Sequence, residues 1–379
     1  MVTGIAFAAI RIAGNIGSTL TLLTTHTKEV VMRQYLKLIL IGFFLVATSL
    51  YAQQSVRVER FIDYAIIDEY TDPSIGENIQ GPSLIRVPDW VKDPLGRYYL
   101  YFADHYGKYI RLAYADDLAG PWTIYVDGSL RLEDTHLPTE PFVAMEADYE
   151  FATAWYERRG LDWTSYGFVP TSVYTEPHVA SPDVHVDEKN QRLIMYFHGL
   201  FDYKKQRTGV ATSKDGIRYK GKNRELGKTY WRAFTHDGYV YAITMPGQLQ
   251  RSTKWLKDFE LGPKLFSREM RHSAVLKRGE TLYVFWSQCG NGPERILAST
   301  INISKPFLEW QESRAVDVLE PEKPWEGVNE PLMPSYRGNA FGKVRELRDP
   351  AIFVEDNQTY LLYSIAGESG IGIVKLHFD

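Results

Sequence analysis

Arg348 and Asp349 stand side by side in RDPAIF (348–353), Arg271 and His272 in RHSAVL (271–276), and Asp183 in SPDVHVD (181–187). Each opens a short apolar run. A carboxylate beside a guanidinium stays ionised and suits a general base, while imidazole can pass a proton near neutral pH. Glu294 in NGPERI adds another carboxyl. Cleaving a glycosidic bond needs this inventory: one group protonates the leaving oxygen, and a second activates water or attacks carbon. Asp183, Asp349, Glu294 and His272 are therefore the candidate catalytic residues. Ser83, Asp104, His105, His198 and Gln288 are candidate substrate-binding residues, and Trp286 a candidate stacking face for a sugar ring. The guanidiniums of Arg232, Arg271 and Arg348 would match an anionic substituent such as a uronate or sulfate.

Each has a structural alternative. Aspartates at strand starts cap turns, Glu294 can pair with an arginine on a surface loop, and the three arginines can pair with nearby aspartates. His185, on the same strand face as Asp183, reads as a core histidine. No H-x-H or H-E-x-x-H spacing occurs, so the histidines read as hydrogen-bonding groups rather than metal ligands.

A repeat positions these residues. Five times the chain gives a small or charged opening, a strand, a polar turn, an aromatic strand, a loop and a third strand. The openings are GPS (81–83), SPD (181–183), WRA (231–233), RHS (271–273) and RDP (348–350). Short strands at regular spacing, joined by turns such as HDG, KRGE and EDNQ, predict antiparallel meanders. Meanders repeated radially make propeller blades, whose first strands line a common axis. The expectation is an all-β, five-bladed β-propeller in which distant openings converge. Between the first two blades lies an insertion, about 130–180, whose segment VAMEADYEFATAWYERRG (143–160) predicts a helix ending at Gly160.

The motifs SPDVHVD, RDPAIF, YADDLAGPW and ATSKDG resemble those of the five-bladed β-propeller glycoside hydrolases, the group of arabinanases, β-xylosidases, α-L-arabinofuranosidases and neoagarobiose hydrolases. The resemblance covers most of residues 79–379. It implies an Asp base opening blade one, a supporting Asp opening blade two and a Glu acid in blade three. Asp183 is taken as the blade-two carboxylate, whereas Gly81 stands where the blade-one Asp is expected and YWRAF (230–234) has no Glu. An axial calcium ion comes from the resemblance alone, so no cofactor or metal is expected from the residues.

The 379 residues are 44% hydrophobic and 14% aromatic, enough for a large packed core. A net charge of −4 without any Lys/Arg run argues against nucleic-acid partners. Residues 32–52, MRQYLKLILIGFFLVATSLYA, have the layout of a secretory signal, with 1–31 an upstream extension and 53–379 the propeller. That predicts a secreted or periplasmic protein with no membrane contact after signal removal. The single cysteine, Cys289, forms no internal disulfide and reads as buried filler. The leading expectation is an exo-acting glycoside hydrolase that removes a terminal sugar, anionic in one version, from a plant or algal oligosaccharide. A non-catalytic carbohydrate-binding propeller and a uronate-specific polysaccharide lyase are the alternatives. No P-loop, dinucleotide fingerprint or G-x-S-x-G elbow is present.

Overall fold

In the computed structural model, residues 56–378 are described; the expected signal (32–52) and upstream extension (1–31) lie outside them. Five antiparallel sheets follow in sequence order, as the repeat predicts. Their innermost strands are Gln80–Arg86, Val179–Asp187, Arg232–His236, Met270–Arg278 and Arg348–Glu355. The middle strands, such as Tyr98–Ala103 (YYLYFA), are buried throughout because neighbouring blades cover both faces, so they read as unbroken apolar runs.

Five apolar clusters fill the five seams. The seam of blades one and two packs Tyr99, Tyr101 and Leu112 against Val184, Met195 and Ala211. The ring is then closed by chain ends: Val56–Glu59 pairs antiparallel with Gly370–Phe378 and forms the outer strand of blade five. The sequence repeat placed blade five wholly in residues 348–379. Its last strand comes from the opposite end of the described chain, so main-chain hydrogen bonds lock the circle.

The blade openings are bulged. Register shifts occur between Gln80 and Ser83, Ala180 and Asp183, Met270 and Ser273, and Arg348 and Ala351. At three of them the residue before a proline takes a left-handed conformation: Gly81 (φ 66), Ser181 (φ 48) and Asp349 (φ 49). Such angles cost a side-chain-bearing residue energy, and they cluster where a structure needs a particular side-chain direction. By this internal alignment Ser181 occupies the blade-two position equivalent to Asp349, and Asp183 lies two residues further along its strand.

The expected helix is present as Glu146–Glu157, and Gly160 follows it with φ 63. A second insertion, residues 320–347 between blades four and five, was not foreseen. Apart from the turn Pro324–Glu326 it has no regular structure.

Candidate functional site

The openings do meet at the axis, through side chains from all five blades. His272 Nδ1 faces the Asp349 carboxylate. Asp349 accepts a hydrogen bond from Ser364 (3.2 Å), whose Oγ in turn accepts from the Gly81 N–H (3.4 Å). From His272 a ladder of rings runs to Tyr230 (3.9 Å), His198 (4.3 Å), His178 (5.3 Å) and Tyr106 (5.5 Å). This circuit is largely sealed: Asp349 is 1% exposed and His272 7%. Burial, then the Arg271 and Arg232 guanidiniums, push His272 well below the ordinary imidazole value. That favours the neutral imidazole, whose Nδ1 faces Asp349, over the protonated form that the expected general acid would need.

Beside this circuit lies a charged layer. Arg271 binds Glu294 (2.9 Å), and Arg348 binds Glu346 (2.5 Å) and Glu368 (2.9 Å) with Glu294 at 3.8 Å. Glu368 also pairs with His105 (3.3 Å) and accepts from Asn78 (2.8 Å). Burial alone would raise the Glu294 carboxyl, but Arg271, Arg348 and Ser287 hold it below its usual range. This pairing favours the ionised form of Glu294 over the protonated form that the expected acid would need. The same pairing answers the arginine question. Arg271 and Arg348 are spent on internal glutamates, and Arg232 on the carbonyls of Pro182, Trp231 and Pro82, so none of the three presents a free guanidinium to an anionic sugar.

Asp183 is set apart from the axis. Its Oδ2 accepts from the Ala233 N–H (2.8 Å) and faces His185 (2.8 Å), stapling blade two to blade three. Ser83 does likewise between blades one and two, its Oγ accepting from the Val184 N–H (2.9 Å). Trp286 packs in the apolar seam of blades three and four and donates to Ser299, so it offers no stacking face. Gln288 accepts from Ser267, and His198 is buried in the ring ladder.

Of the expected residues, Asp104 and His105 do reach open space. They line a cavity of about 450 Å³ at the blade one and blade five boundary, with Glu368 and Asn78. The two insertions supply its walls: Tyr166 and Phe168 from the first, Asn339 to Lys343 from the second. Glu69 and Glu77, which precede blade one, complete the acidic side. Burial would raise Glu368, yet His105, Arg348 and Asn78 outweigh it and hold its pKa at about 2. Tyr166 and Phe341 also border a second cavity of about 220 Å³ that reaches Glu346 and Arg348. There burial, reinforced by Glu294 and only partly opposed by Arg348, pushes the Glu346 carboxyl up. Sequence reasoning missed Glu368, Glu346, Asn339 and Phe341. Among the described residues no group of three or more His, Cys, Asp or Glu side chains is arranged to hold a metal ion.

The architecture is the five-bladed propeller of the arabinanase and xylosidase group of glycoside hydrolases. A β-xylosidase/α-arabinofuranosidase of glycoside hydrolase family 43 from a compost microbial metagenome, solved with xylotriose, matches 85% of this chain and 96% of its own at 12% identity, with a TM-score of 0.50. An exo-1,5-α-L-arabinanase from a bovine ruminal metagenomic library matches 80% of this chain and 94% of its own at 15% identity and a TM-score of 0.45. No family model matches the sequence. In sequence, the chain belongs to the family of an uncharacterized protein of Acanthamoeba polyphaga mimivirus, to which it is 32% identical over 326 residues, 79% of this chain and 83% of the relative.

Proposed function

We propose that the protein is an exported carbohydrate-binding propeller that receives the end of an oligosaccharide in the 450 Å³ cavity. The carrying observation is the composition of that cavity: aromatic walls from Tyr106, Tyr166, Phe168 and Phe341 beside Asn78, Asp104, His105 and Glu368. Rings cover the apolar faces of a sugar, and amides and carboxylates take its hydroxyls. Three further facts weigh toward binding without the chemistry usual for this fold. Gly81 and Ser181 occupy the bulge positions equivalent to Asp349, Asp183 is engaged in a seam, and Glu294 is paired with Arg271. The fold neighbour solved with xylotriose supports a saccharide as the class of ligand. Export is supported by residues 32–52 of the sequence.

Exo-acting hydrolysis is the second reading, and one observation favours it. Arg348 holds two carboxyls whose environments drive them in opposite directions, Glu368 downward and Glu346 upward. A base and an acid separated this way are what glycosidic cleavage requires. Calorimetric titration with a panel of plant and algal oligosaccharides, followed by product analysis, decides between them. Saturable binding without products supports the binding protein. A new reducing end that vanishes in both Glu368→Gln and Glu346→Gln supports the hydrolase, and an unsaturated, ultraviolet-absorbing product would show a lyase. Failure to bind any saccharide would overturn the proposal.

A further inference from the structure

The three arginines that the sequence offers to an anion are spent inside the protein, yet unspent donors gather elsewhere. They line a cavity of about 290 Å³ where blades two and three meet. By the repeat it is the counterpart of the larger cavity. Lys228 and Thr229 precede the innermost strand of blade three as Glu77 and Asn78 precede that of blade one. Met245 follows the strand Tyr239–Thr244 as Asp104 follows Tyr98–Ala103. Lys204 turns out of Arg192–Asp202 in blade two as Glu368 turns out of Gln358–Ser364 in blade five. The first insertion walls both, with Phe168 in one and Val173 and Tyr174 in the other.

The equivalent positions carry opposite charge. Lys204, Arg207 and Lys228 line the smaller cavity, and no carboxylate does. Lys204 is paired with Asp148, and Arg207 shares Glu225 (3.0 Å) with Lys205 (2.6 Å). Lys228 keeps no charged partner among the described residues. Arg207 uses Nε on Glu225 and Nη1 on the Gln206 carbonyl, which leaves Nη2 without an internal acceptor. An independent observation lies deeper. Thr229 is 8% exposed and its hydroxyl makes no hydrogen bond within the protein, but unlike the Thr244 hydroxyl it is not sealed from water. An ammonium, a guanidinium N–H and a hydroxyl thus line one space with no acceptor of their own.

Resting on the reading of the protein as a saccharide binder, we propose that this second cavity takes an oxyanion substituent of the same oligosaccharide, a sulfate ester or a uronate carboxylate. Either group accepts several hydrogen bonds and carries the negative charge that Lys228 lacks. A neutral hydroxyl supplies an acceptor but not the charge. The Tyr174 ring offers a face to the sugar that bears the substituent. Phe168 and Val173 are five residues apart, at most about 18 Å of chain, so one oligosaccharide of a few units reaches both cavities. The charges then set its direction: the anionic unit lies at Lys228, and the end that enters the acidic cavity beside Glu368 is neutral.

The test is calorimetric titration of the full chain with a sulfated galactan tetrasaccharide, its desulfated counterpart, tetragalacturonate and inorganic sulfate. At least one anionic oligosaccharide should bind about tenfold more tightly than the desulfated one, and which of them does so assigns sulfate or carboxylate. Lys228→Gln should weaken that ligand about fivefold and reduce its salt dependence while leaving the desulfated tetrasaccharide unaffected. Lys228 is exposed, so an unchanged unfolding midpoint verifies the variant's fold. Thr229→Val removes a hydroxyl with no internal partner, so anionic affinity should drop about threefold to fivefold with no loss of stability. Equal affinity for charged and desulfated ligands, or a preference for charge that survives both substitutions, would overturn the anion site and leave the saccharide reading standing. Inorganic sulfate binding as tightly as the sulfated tetrasaccharide would show an ion site, and the link to a sugar would fall. Binding of no oligosaccharide, charged or neutral, would bring down both readings.

Discussion

The axis and the cavity lie side by side and use charge in opposite ways. At the axis the charged groups are paired inside the protein, Asp349 with His272 and Ser364 and Glu294 with Arg271 and Ser287, although the Ser181 hydroxyl and one ring nitrogen each of His178 and His198 have no hydrogen-bond partner. In the cavity, Glu77 lacks a charged partner. A closed polar network gives the blades a unique relative arrangement. An incomplete one is what a ligand completes. The convergence of charged side chains on a propeller axis is therefore no sufficient sign of an active site, since the same convergence can serve to lock the ring.

The largest expected effect belongs to Arg348, which is fully buried and touches Glu346 and Glu368. Arg348→Met leaves those carboxylates buried without their cation, a loss of about 3–5 kcal/mol. Denaturant midpoints should fall accordingly, or the variant should fail to accumulate folded. Glu77→Gln, on the cavity side, should stay within about 0.5 kcal/mol of wild type. Comparable losses in the two variants would erase the distinction between a structural axis and a functional cavity.

Acid titration separates the regions by pH. Burial, the main cause, pushes His178 from an ordinary 6.5 down to about 4, while the neighbouring His198 falls well below. A histidine with a lowered folded pKa binds its proton first in the unfolded chain, so stability declines as pH falls from 6.5 toward 4. Glu368 has the depressed-carboxylate pattern. Its contribution is whole above the unfolded value of 4.5 and is lost as pH drops toward about 2. Each step is on the order of 3 kcal/mol. Equilibrium unfolding measured across pH should show both, with His178→Gln reducing only the upper one, to which the buried His198 and His272 also contribute, and Glu368→Gln reducing only the lower. A single step that neither variant alters would contradict this division.

The sequence reveals the axis better than the cavity, for a physical reason. Blade openings recur because each innermost strand must bulge at the same place, so five distant segments announce that they converge. Even there the motif does not fix the side chain's place. Asp183 is taken as the blade-two carboxylate from its motif SPDVHVD, whereas Pro82, Pro182 and Pro350 align Ser181, not Asp183, with Asp349. A two-residue shift keeps a side chain on the same strand face in a regular ladder, but across a bulge it moves Asp183 to a seam. Asp104 and His105 were legible because they directly follow a blade strand. Asn339, Phe341 and Glu368 were not, since insertions and turns carry no period to align them by.

A milder prediction concerns function at the axis. Asp349→Asn keeps the shape and a hydrogen bond to His272, so it should destabilise by about 1–2 kcal/mol without altering saccharide affinity. Phe341→Ala removes a cavity wall and should weaken binding about fivefold to tenfold, while the lost ring contacts with Tyr156, Tyr166, Phe168 and Tyr336 cost about 1–3 kcal/mol of stability. Titration calorimetry on both variants tests the contrast directly. Lost affinity in Asp349→Asn with a normal midpoint would move the site to the axis.

The smallest effect on function should come from restoring the aspartate that the fold family would place at the start of blade one. Gly81 has φ 66, and a Cβ there would lie 3.2 Å from the Ser181 Cα and 3.4 Å from its Oγ. Side chains at the equivalent positions of blades two and five already tolerate this backbone, at φ 48 for Ser181 and φ 49 for Asp349. Gly81→Asp should therefore fold, at a cost of about 1–2 kcal/mol from the tight contact and the left-handed angle. Its carboxylate would join a sealed circuit beside Ser364 and Asp349 rather than the cavity, so neither saccharide affinity nor product formation should change. If this substitution instead created or raised glycosidase turnover, ligands would have to reach the axis. The closed network there would then be the resting state of an active site rather than the lock of the ring.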